Sequence, residues 1–205
     1  MGWPMFDPIF SRILKAPLAR GAEALMERNI TATQVTLGGF AAAVLCATAV
    51  AYGYYVIGLL FLIVNRIADG LDGTLARMTQ PTDFGAYLDM VLDFVAFTAI
   101  AASFAAGRPE HAIPAVVVAA SLMGLASTFL GFAVVAATRG LIPDMQSKPF
   151  NLAGGIVETS EITVFLLVVL VSPDLFPTAA WVFSAACWVT MAQRIFEARA
   201  TFERG

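Results

Sequence analysis

Charge, histidine and cysteine are scarce in this sequence, and each shortage excludes a class of protein. Charged residues make up 13% of the 205 positions, whereas soluble domains carry about 25%. The single histidine and the two cysteines do not have metal-ligand spacing, which argues against a zinc or copper site. Cys46 and Cys187 lie in separate apolar runs, so we expect two buried thiols and no disulfide. With a net charge of −3, no nucleic-acid partner is expected.

Apolar residues are abundant instead. They account for 59% of the chain, and the mean hydropathy is +0.80. A helix needs about 20 mostly apolar residues to cross a bilayer. This criterion predicts an all-α integral membrane protein with six transmembrane helices, at residues 33–54, 55–77, 85–106, 112–137, 152–172 and 175–194.

The beginning of the chain has a different pattern. Between residues 4 and 28, apolar side chains recur at helical spacing and charged side chains lie on the opposite face. This pattern predicts an amphipathic helix that lies in the membrane interface. We therefore divide the chain into an interfacial helix at 1–30 and a membrane domain at 31–205.

The positions of lysine and arginine predict the orientation. In the six-span layout every lysine and arginine except Arg108 falls on one side of the membrane. Because cytoplasmic loops are enriched in these residues, we expect a multi-pass protein of the cytoplasmic (inner) membrane with both termini and the acidic residues in the cytoplasm. His111 follows Arg108 and is expected as a solvated residue of the opposite loop.

Four aspartates interrupt the apolar segments. Asp69 and Asp72 are three residues apart, and Asp89 and Asp93 are four apart, so each pair lies on one helical face. A short turn joins the two helices, so the four carboxylates can converge. Left uncompensated, they would cost on the order of 10–14 kcal/mol in a bilayer. Oxygen ligands of this kind suit Mg²⁺ or Mn²⁺, and four charges match two such ions.

Small residues and an arginine accompany the aspartates. Gly70 and Gly73 are expected to let a bulky ligand approach the backbone, and Ala76 keeps the same wall low. Arg77 offers a guanidinium fork that suits phosphate oxygens. Together with the metal site, these residues indicate a site for a nucleotide diphosphate.

These residues carry a family resemblance. The run Asp69-x2-Asp72-Gly73-x2-Ala76-Arg77-x7-Gly85-x3-Asp89-x3-Asp93 resembles the signature of the CDP-alcohol phosphatidyltransferases, which join an alcohol to a CDP-activated partner and release CMP. The six-span layout with an interfacial helix also resembles that family. The gap between Arg77 and Gly85 is one residue shorter than is usual there, which affects the nucleotide contacts in this turn more than the chemistry.

The resemblance implies a role for each position. Asp69, Asp72 and Asp89 would hold metal, and Asp93 would complete the metal site and take the proton from the attacking hydroxyl. The CDP moiety would be lined by Gly73, Ala76, Arg77, Thr82, Gly85 and, more weakly, Thr36. The family's Pro-Asn pair before the first span is replaced here by Ala32-Thr33, so Thr33 and Thr36 are equally expected to cap a helix. The resemblance also implies a homodimer.

The acceptor alcohol is left open by the sequence. Three basic residues lie at cytoplasmic ends of spans, namely Arg139, Lys148 and Arg194. They would form a basic pocket for glycerol 3-phosphate or an inositol phosphate, unless their only role is to set the orientation of the chain in the membrane. Glu158 and Glu161 lie inside the predicted fifth span. These two glutamates would bind polyol hydroxyls or neutralise the charge of a cationic headgroup. Alternatively, they would form ion pairs with Lys148 or Arg139.

The sequence thus predicts a transferase that moves a phosphatidyl group from CDP-diacylglycerol to a hydroxyl acceptor. One alternative is head-group transfer from a soluble CDP-alcohol to a lipid hydroxyl. A second alternative is an intramembrane prenyltransferase, because the runs Asn65-x3-Asp69 and Asp89-x3-Asp93 resemble parts of the motifs of those enzymes. The others are a divalent-cation transporter and a purely structural network of the aspartates with Arg66 and Arg77.

Overall fold

The computed structural model describes residues 7–140 and 155–203, with side chains from residue 16 onward. Within these ranges the chain forms helices and no β-strand. The helices are α1 (Asp7–Glu27), α2 (Ala32–Ala51), α3 (Tyr55–Met78), α4 (Asp83–Gly107), α5 (Ala112–Thr138), α6 (Thr159–Val171) and α7 (Phe176–Glu203). Single 3₁₀ turns at Pro109–His111 and Pro173–Leu175 lead into α5 and α7.

Four of these helices are long and apolar enough to cross a membrane. They begin at Ala32, at Asp83 and at the two 3₁₀ turns. Helix α3 does not meet the composition criterion because it carries the charged motif, and α6 has only 13 residues. A helix of that length rises about 20 Å, whereas the hydrocarbon core of a bilayer is about 30 Å thick. Large apolar side chains such as Val56, Val116 and Val182 are exposed on the outer surface, as a lipid-facing surface requires.

The helix ends differ from the prediction in two places. Helix α6 begins at Thr159, so the predicted fifth span at 152–172 starts too early, and residues 152–154 lie outside the described ranges. The cap of α2 is Thr31, whose side chain accepts from the Gln34 N–H. The expectation that Thr33 or Thr36 caps this helix is therefore wrong. The Thr36 hydroxyl donates to the Ala32 carbonyl at 3.0 Å.

Small residues bring the first membrane helices together. A Cβ atom at Gly39 of α2 would lie 2.9 Å from the Cβ of Ala68 on α3, so only glycine fits at this crossing. Helix α2 also packs against α4, while α5 packs against α4 and α7. Cys46 and Cys187 are buried free thiols of the core, as predicted.

Helix α1 packs on α3. A Cβ at Gly70 would lie 3.1 Å from Leu18 Cδ1, and a Cβ at Gly21 would lie 2.7 Å from Leu71 Cδ2. Ala22 is fully buried, while Arg20 on the outer side is exposed. The two glycines thus let the first helix approach the helix that carries Asp69 and Asp72.

The bundle end far from the aspartates is closed by aromatic rings. Phe104 and Phe176 stack with their centroids 4.1 Å apart, and Tyr55 stacks on Phe104. His111 is only 2% exposed and lies 5.2 Å from the Phe176 ring, so its expected place as a solvated loop residue is wrong. The 3₁₀ turn that ends at His111 places the imidazole over these rings. We call Tyr55, Phe104, His111 and Phe176 the aromatic end.

Candidate functional site

Three of the four aspartates meet where α3 leads into α4. Carboxylate oxygens of Asp69, Asp89 and Asp93 all lie within 4.8 Å of one another, and we call these residues the acidic triad. Asp72 is 4% exposed and lines the same gap, together with Thr36. The gap has a volume of about 10 Å³, which is the space of a single small ion or water.

The donor set of this gap fits a hard divalent cation. Its charged ligands are carboxylates from two antiparallel helices, and neither the histidine nor a cysteine lies near them. Oxygen ligands of one octahedral Mg²⁺ ion are about 3.0 Å apart when adjacent and about 4.2 Å apart when opposite, so oxygens within 4.8 Å of one another are near the spacing that one ion needs. The acidic triad is therefore close enough to share a metal.

Arg66 is the cation nearest to these acids. Its Nη2 donates to Asp93 Oδ1 at 2.8 Å, and its Nη1 lies 3.7 Å from Asp69 Oδ2. Among the described residues, no other cation forms an ion pair with any of the four aspartates. The predicted Asp–Arg contact therefore exists, but one guanidinium leaves most of the negative charge unpaired, and Arg77 does not take part.

Sequence reasoning did not find how Arg66 is held. The Oδ1 of Asn65 accepts from Arg66 Nε at 2.9 Å and from Nη2 at 2.7 Å, and the guanidinium lies 4.5 Å over the Phe97 ring. Asn65 is 4% exposed, and its Nδ2 donates to the Gly39 carbonyl at 2.9 Å. The spacing of Arg66 and Asp69 indicates their ion pair, but no local spacing indicates this anchoring, because Phe97 and Gly39 lie on other helices.

The predicted nucleotide residues fall into two neighbouring groups. Near the end of α3, a Cβ at Gly73 would lie 3.4 Å from Arg77 Nη1, and Arg77 Nη2 donates to Thr74 Oγ1 at 3.2 Å. Ala76 is half-buried on the same helix.

The second group lies at the start of α4. Thr82 caps this helix by accepting from the Gly85 N–H at 3.1 Å. A Cβ at Gly85 would lie 2.9 Å from Thr82 Oγ1 and 3.7 Å from Thr33 Oγ1. The structure therefore brings Thr33 beside Thr82 and Gly85.

Gly70 does not have the surroundings that we expected. Instead of leaving room for a ligand, it lies against Leu18 of α1. Successive helical positions are rotated by about 100°, so Gly70 and Leu71 turn away from the direction of Asp69 toward the first helix. The expectation that Gly70 serves ligand approach is corrected by this contact.

A larger cavity adjoins the acidic triad. Its volume is about 330 Å³, and Asp93, Glu158 and Arg194 are its charged lining residues. Aromatic and aliphatic side chains, among them Phe97 and Phe129, form most of the remaining wall. We call it the large cavity. Asp93 lines both this cavity and the acidic gap.

The two charged residues opposite Asp93 are held differently. Arg194 is 9% exposed; its Nη1 donates to the Leu125 carbonyl at 3.3 Å, and its buried Nε has no hydrogen-bond partner among the described residues. Glu158 precedes α6 and its Oε1 accepts from the Gly155 N–H at 3.4 Å. A buried guanidinium with a free N–H is suited to an anionic ligand.

Two other acceptor candidates, Glu161 and Arg139, do not line this cavity. Glu161 accepts from the Glu158 backbone N–H at 2.9 Å, so both glutamates lie at the start of α6, where the helix dipole favours carboxylates. Arg139 donates to the Phe202 carbonyl and lies over its ring, so the predicted three-residue basic pocket is not formed around it. Lys148 lies outside the described residues.

Comparison with known proteins agrees with this site. The sequence profile described as CDP-alcohol phosphatidyltransferase matches residues 29–195. The inner membrane protein YnjF of Escherichia coli is 33% identical over 201 residues, which cover 97% of this chain and 98% of YnjF. The archaetidylinositol phosphate synthase of Pyrococcus horikoshii is 27% identical over 200 residues, covering 94% and 96% of the two chains.

A solved structure shares the fold. The crystal structure of Mycobacterium tuberculosis phosphatidylinositol phosphate synthase with CDP-DAG bound matches with a TM-score of 0.70 and 22% identity, over 89% of this chain and 93% of that one. The profile match spans every residue of the acidic motif and most of the chain. The chain therefore belongs to the CDP-alcohol phosphatidyltransferase family.

Proposed function

We propose that this protein transfers a phosphatidyl group from CDP-diacylglycerol to a small hydroxyl acceptor and releases CMP. The observation that carries the proposal is the position of Asp93, which lines both the acidic gap and the large cavity. A carboxylate shared by the two spaces can contact a donor diphosphate on one side and an acceptor hydroxyl on the other. The name of the archaeal relative, a synthase of an inositol phosphate lipid, supports the same reaction class.

In the proposed reaction, Asp93 acts as the general base. It accepts the proton of the acceptor hydroxyl while that oxygen forms a bond to the phosphorus bearing the diacylglycerol. The bond from this phosphorus to the bridging diphosphate oxygen breaks, and CMP leaves with the electron pair. An alcohol is too weak an acid to react at neutral pH without such a base.

The acidic gap is the proposed metal site. Asp69, Asp89 and Asp93 would hold Mg²⁺ or Mn²⁺, with Asp72 available for a second ion. When bound, the cation supplies positive charge that stabilises the diphosphate and the leaving group.

The proposed donor site lies around the ends of α2, α3 and α4. Gly73, Ala76 and Arg77 would contact the diphosphate and ribose, and Thr82 and Gly85 would contact the cytidine, with Thr36 beside the metal. Arg77 is exposed and tethered only to Thr74, so it can turn toward a phosphate without breaking a buried contact.

The large cavity is the proposed acceptor site. Arg194 would bind a phosphate through its unpartnered Nε, and Glu158 would accept from polyol hydroxyls. These two residues favour glycerol 3-phosphate or an inositol phosphate over a headgroup that carries only a positive charge.

We extend the proposal to the arrangement in the membrane. It comprises six spans with α3 and α6 included, an interfacial helix within residues 1–30, a membrane domain at 31–205, and a homodimer. Both termini and the active site would face the cytoplasm, which the distribution of lysine and arginine supports.

The experiment that tests the function is CMP release by purified protein from CDP-diacylglycerol. It is run with Mg²⁺ or Mn²⁺ and a panel of acceptors: glycerol 3-phosphate, inositol, inositol phosphate, serine, ethanolamine and choline. We expect a phosphorylated polyol to stimulate release most strongly, and Asp93→Asn to abolish it while the protein stays folded. Release only with soluble CDP-alcohol donors and a lipid acceptor would mean that the protein transfers a head group to a lipid hydroxyl instead. No release with either donor class would contradict the proposal.

A further inference from the structure

Arg66 is held in place by groups other than the acids it contacts. Asn65 Oδ1 accepts two of its N–H groups, at 2.9 and 2.7 Å, and the Phe97 ring lies 4.5 Å below the guanidinium. Asn65 in turn donates to the Gly39 carbonyl of α2. The Arg66 side chain is only 14% exposed. This anchoring fixes the guanidinium before any ligand binds.

From this fixed position Arg66 reaches one oxygen of Asp93. The second N–H of Nη2 donates to Asp93 Oδ1 at 2.8 Å. A carboxylate with one oxygen held in this way has a restricted torsion, so the contact with Arg66 fixes the direction of the whole group. Asp93 lines both the acidic gap and the large cavity, so this direction decides how the carboxylate is presented to the two spaces.

Arg66 also adds a positive charge to the acidic triad. It lies 2.8 Å from Asp93 and 3.7 Å from Asp69, which are two of the three residues close enough to share a metal. Like charges in a partly buried site repel strongly. The guanidinium therefore weakens cation binding at the same acids that it orients.

We propose that Arg66 is a positioning residue that orients Asp93 for proton transfer from the acceptor hydroxyl and thereby weakens the metal affinity of the acidic triad. The proposal rests on the proposed function for its first half only, because metal affinity can be measured without turnover. The two halves predict changes of opposite sign when Arg66 is removed. A loss of folding would instead weaken metal binding and turnover together.

The test compares Arg66→Gln with the unaltered full-length protein in lipid nanodiscs. Mn²⁺ binding is titrated by electron paramagnetic resonance without substrate, and kcat and KM are measured from CMP release. We expect the Mn²⁺ dissociation constant to fall by about tenfold, since a positive charge leaves the site. We expect kcat to fall by about a hundredfold with the KM for CDP-diacylglycerol nearly unchanged, since only the proton transfer is affected.

Two further variants make the result specific. Arg66→Lys keeps the charge but lacks the fork that contacts Asn65 and Asp93 together, so we expect unchanged Mn²⁺ affinity and only partial recovery of kcat. Arg199→Gln removes a charge at the exposed pair with Glu203 and should change neither quantity. If Arg66→Gln does not fold, Arg66→Lys carries the test.

Each outcome decides between the two proposals. Thermal unfolding first shows whether Arg66→Gln is folded. In a folded Arg66→Gln, weaker Mn²⁺ binding or an unchanged kcat overturns the role of Arg66, as does full activity of Arg66→Lys. An unaltered protein that releases no CMP from any donor overturns the proposed function instead. The Mn²⁺ titration then still decides whether Arg66 weakens the metal site.

Discussion

At the end of the bundle where α3 leads into α4, carboxylate oxygens of Asp69, Asp89 and Asp93 lie within 4.8 Å of one another, and Arg66 pairs with Asp69 and Asp93. At the opposite end, α4 and α7 meet through the stacked rings of Phe104 and Phe176, whose centroids are 4.1 Å apart. The first end contains carboxylates that repel one another, and the second contains aromatic rings that attract one another. We refer to the first as the acidic end.

The contrast separates function from stability along α4, which carries Asp89 and Asp93 toward one end and Phe104 toward the other. Carboxylates packed together lower the stability of the folded chain unless a cation joins them, so their presence indicates a ligand. Stacked aromatic rings gain dispersion energy without any ligand. Variants at each end test whether the two ends are independent. A change at the acidic end should alter activity but not stability, and a change at the aromatic end should alter stability but not activity.

The largest effect is expected at the acidic end, for Asp89→Asn. This change removes one proposed metal ligand and one repelling charge, so CMP release should fall about a thousandfold. The free energy of unfolding should stay constant or rise without metal. Release is measured at saturating Mn²⁺, and stability by chemical denaturation in detergent. A strong loss of stability would show that Asp89 is part of the structural framework.

The aromatic end should respond in the opposite manner to Phe176→Ala. The ring is fully buried, and its removal leaves a cavity beside Phe104, so unfolding should become easier by about 3 kcal/mol. The specific activity of the molecules that remain folded should be unchanged. Thermal unfolding and CMP release per folded molecule measure the two effects. Lost activity in a folded variant would mean that the ends are coupled.

A smaller effect is expected from the two glycines of the motif. Gly73→Ala places a methyl group 3.4 Å from Arg77 Nη1, and should raise the KM for CDP-diacylglycerol about tenfold, which corresponds to 1.4 kcal/mol. Gly70→Ala is the matched control. Its methyl group meets the flexible end of Leu18 instead, so KM should stay within about twofold of the original. Equal effects of the two variants would remove the distinction between a ligand-facing and a helix-facing glycine.

The smallest effect is expected for His111→Leu. Within the described part of the chain, the buried Nδ1 of His111 has no hydrogen-bond partner, so an apolar side chain of similar size should keep the packing and remove a polar group. We expect the unfolding free energy to change by less than about 0.5 kcal/mol, or to rise slightly. A large loss in thermal unfolding would show that the aromatic end depends on a polar contact of the imidazole.

The helices and the acidic triad were predictable because both follow from local spacing. Asp69 and the pair Asp89 and Asp93 lie on faces that the helical repeat defines, and the turn between the helices is short. The repeat does not reveal which residues of an apolar run are helical. The fifth predicted span therefore began before Thr159, although Glu158 and Glu161 have the spacing of a helix start.

The errors concern contacts between segments that are distant in the sequence. Gly70 was assigned to a ligand because nothing in its neighbours shows that Leu18 of α1 lies against it. His111 was placed in solvent because the ring of Phe176 is contributed by the last helix. Arg66 was named only as a partner of the aspartates in the structural alternative, because its anchor on Asn65 depends on the carbonyl of Gly39 in another helix. Such contacts require the three-dimensional packing.

The packing of α1 on α3 has a consequence for the order of assembly during synthesis. Leu18 and Gly21 leave the ribosome about 50 residues before Gly70 and Leu71, the partners against which they pack. The first helix can dock only after α3 has been synthesised and folded. Helix α1 is thus fixed in place after the motif helix that follows it in the chain, and its docking requires that this helix has already formed.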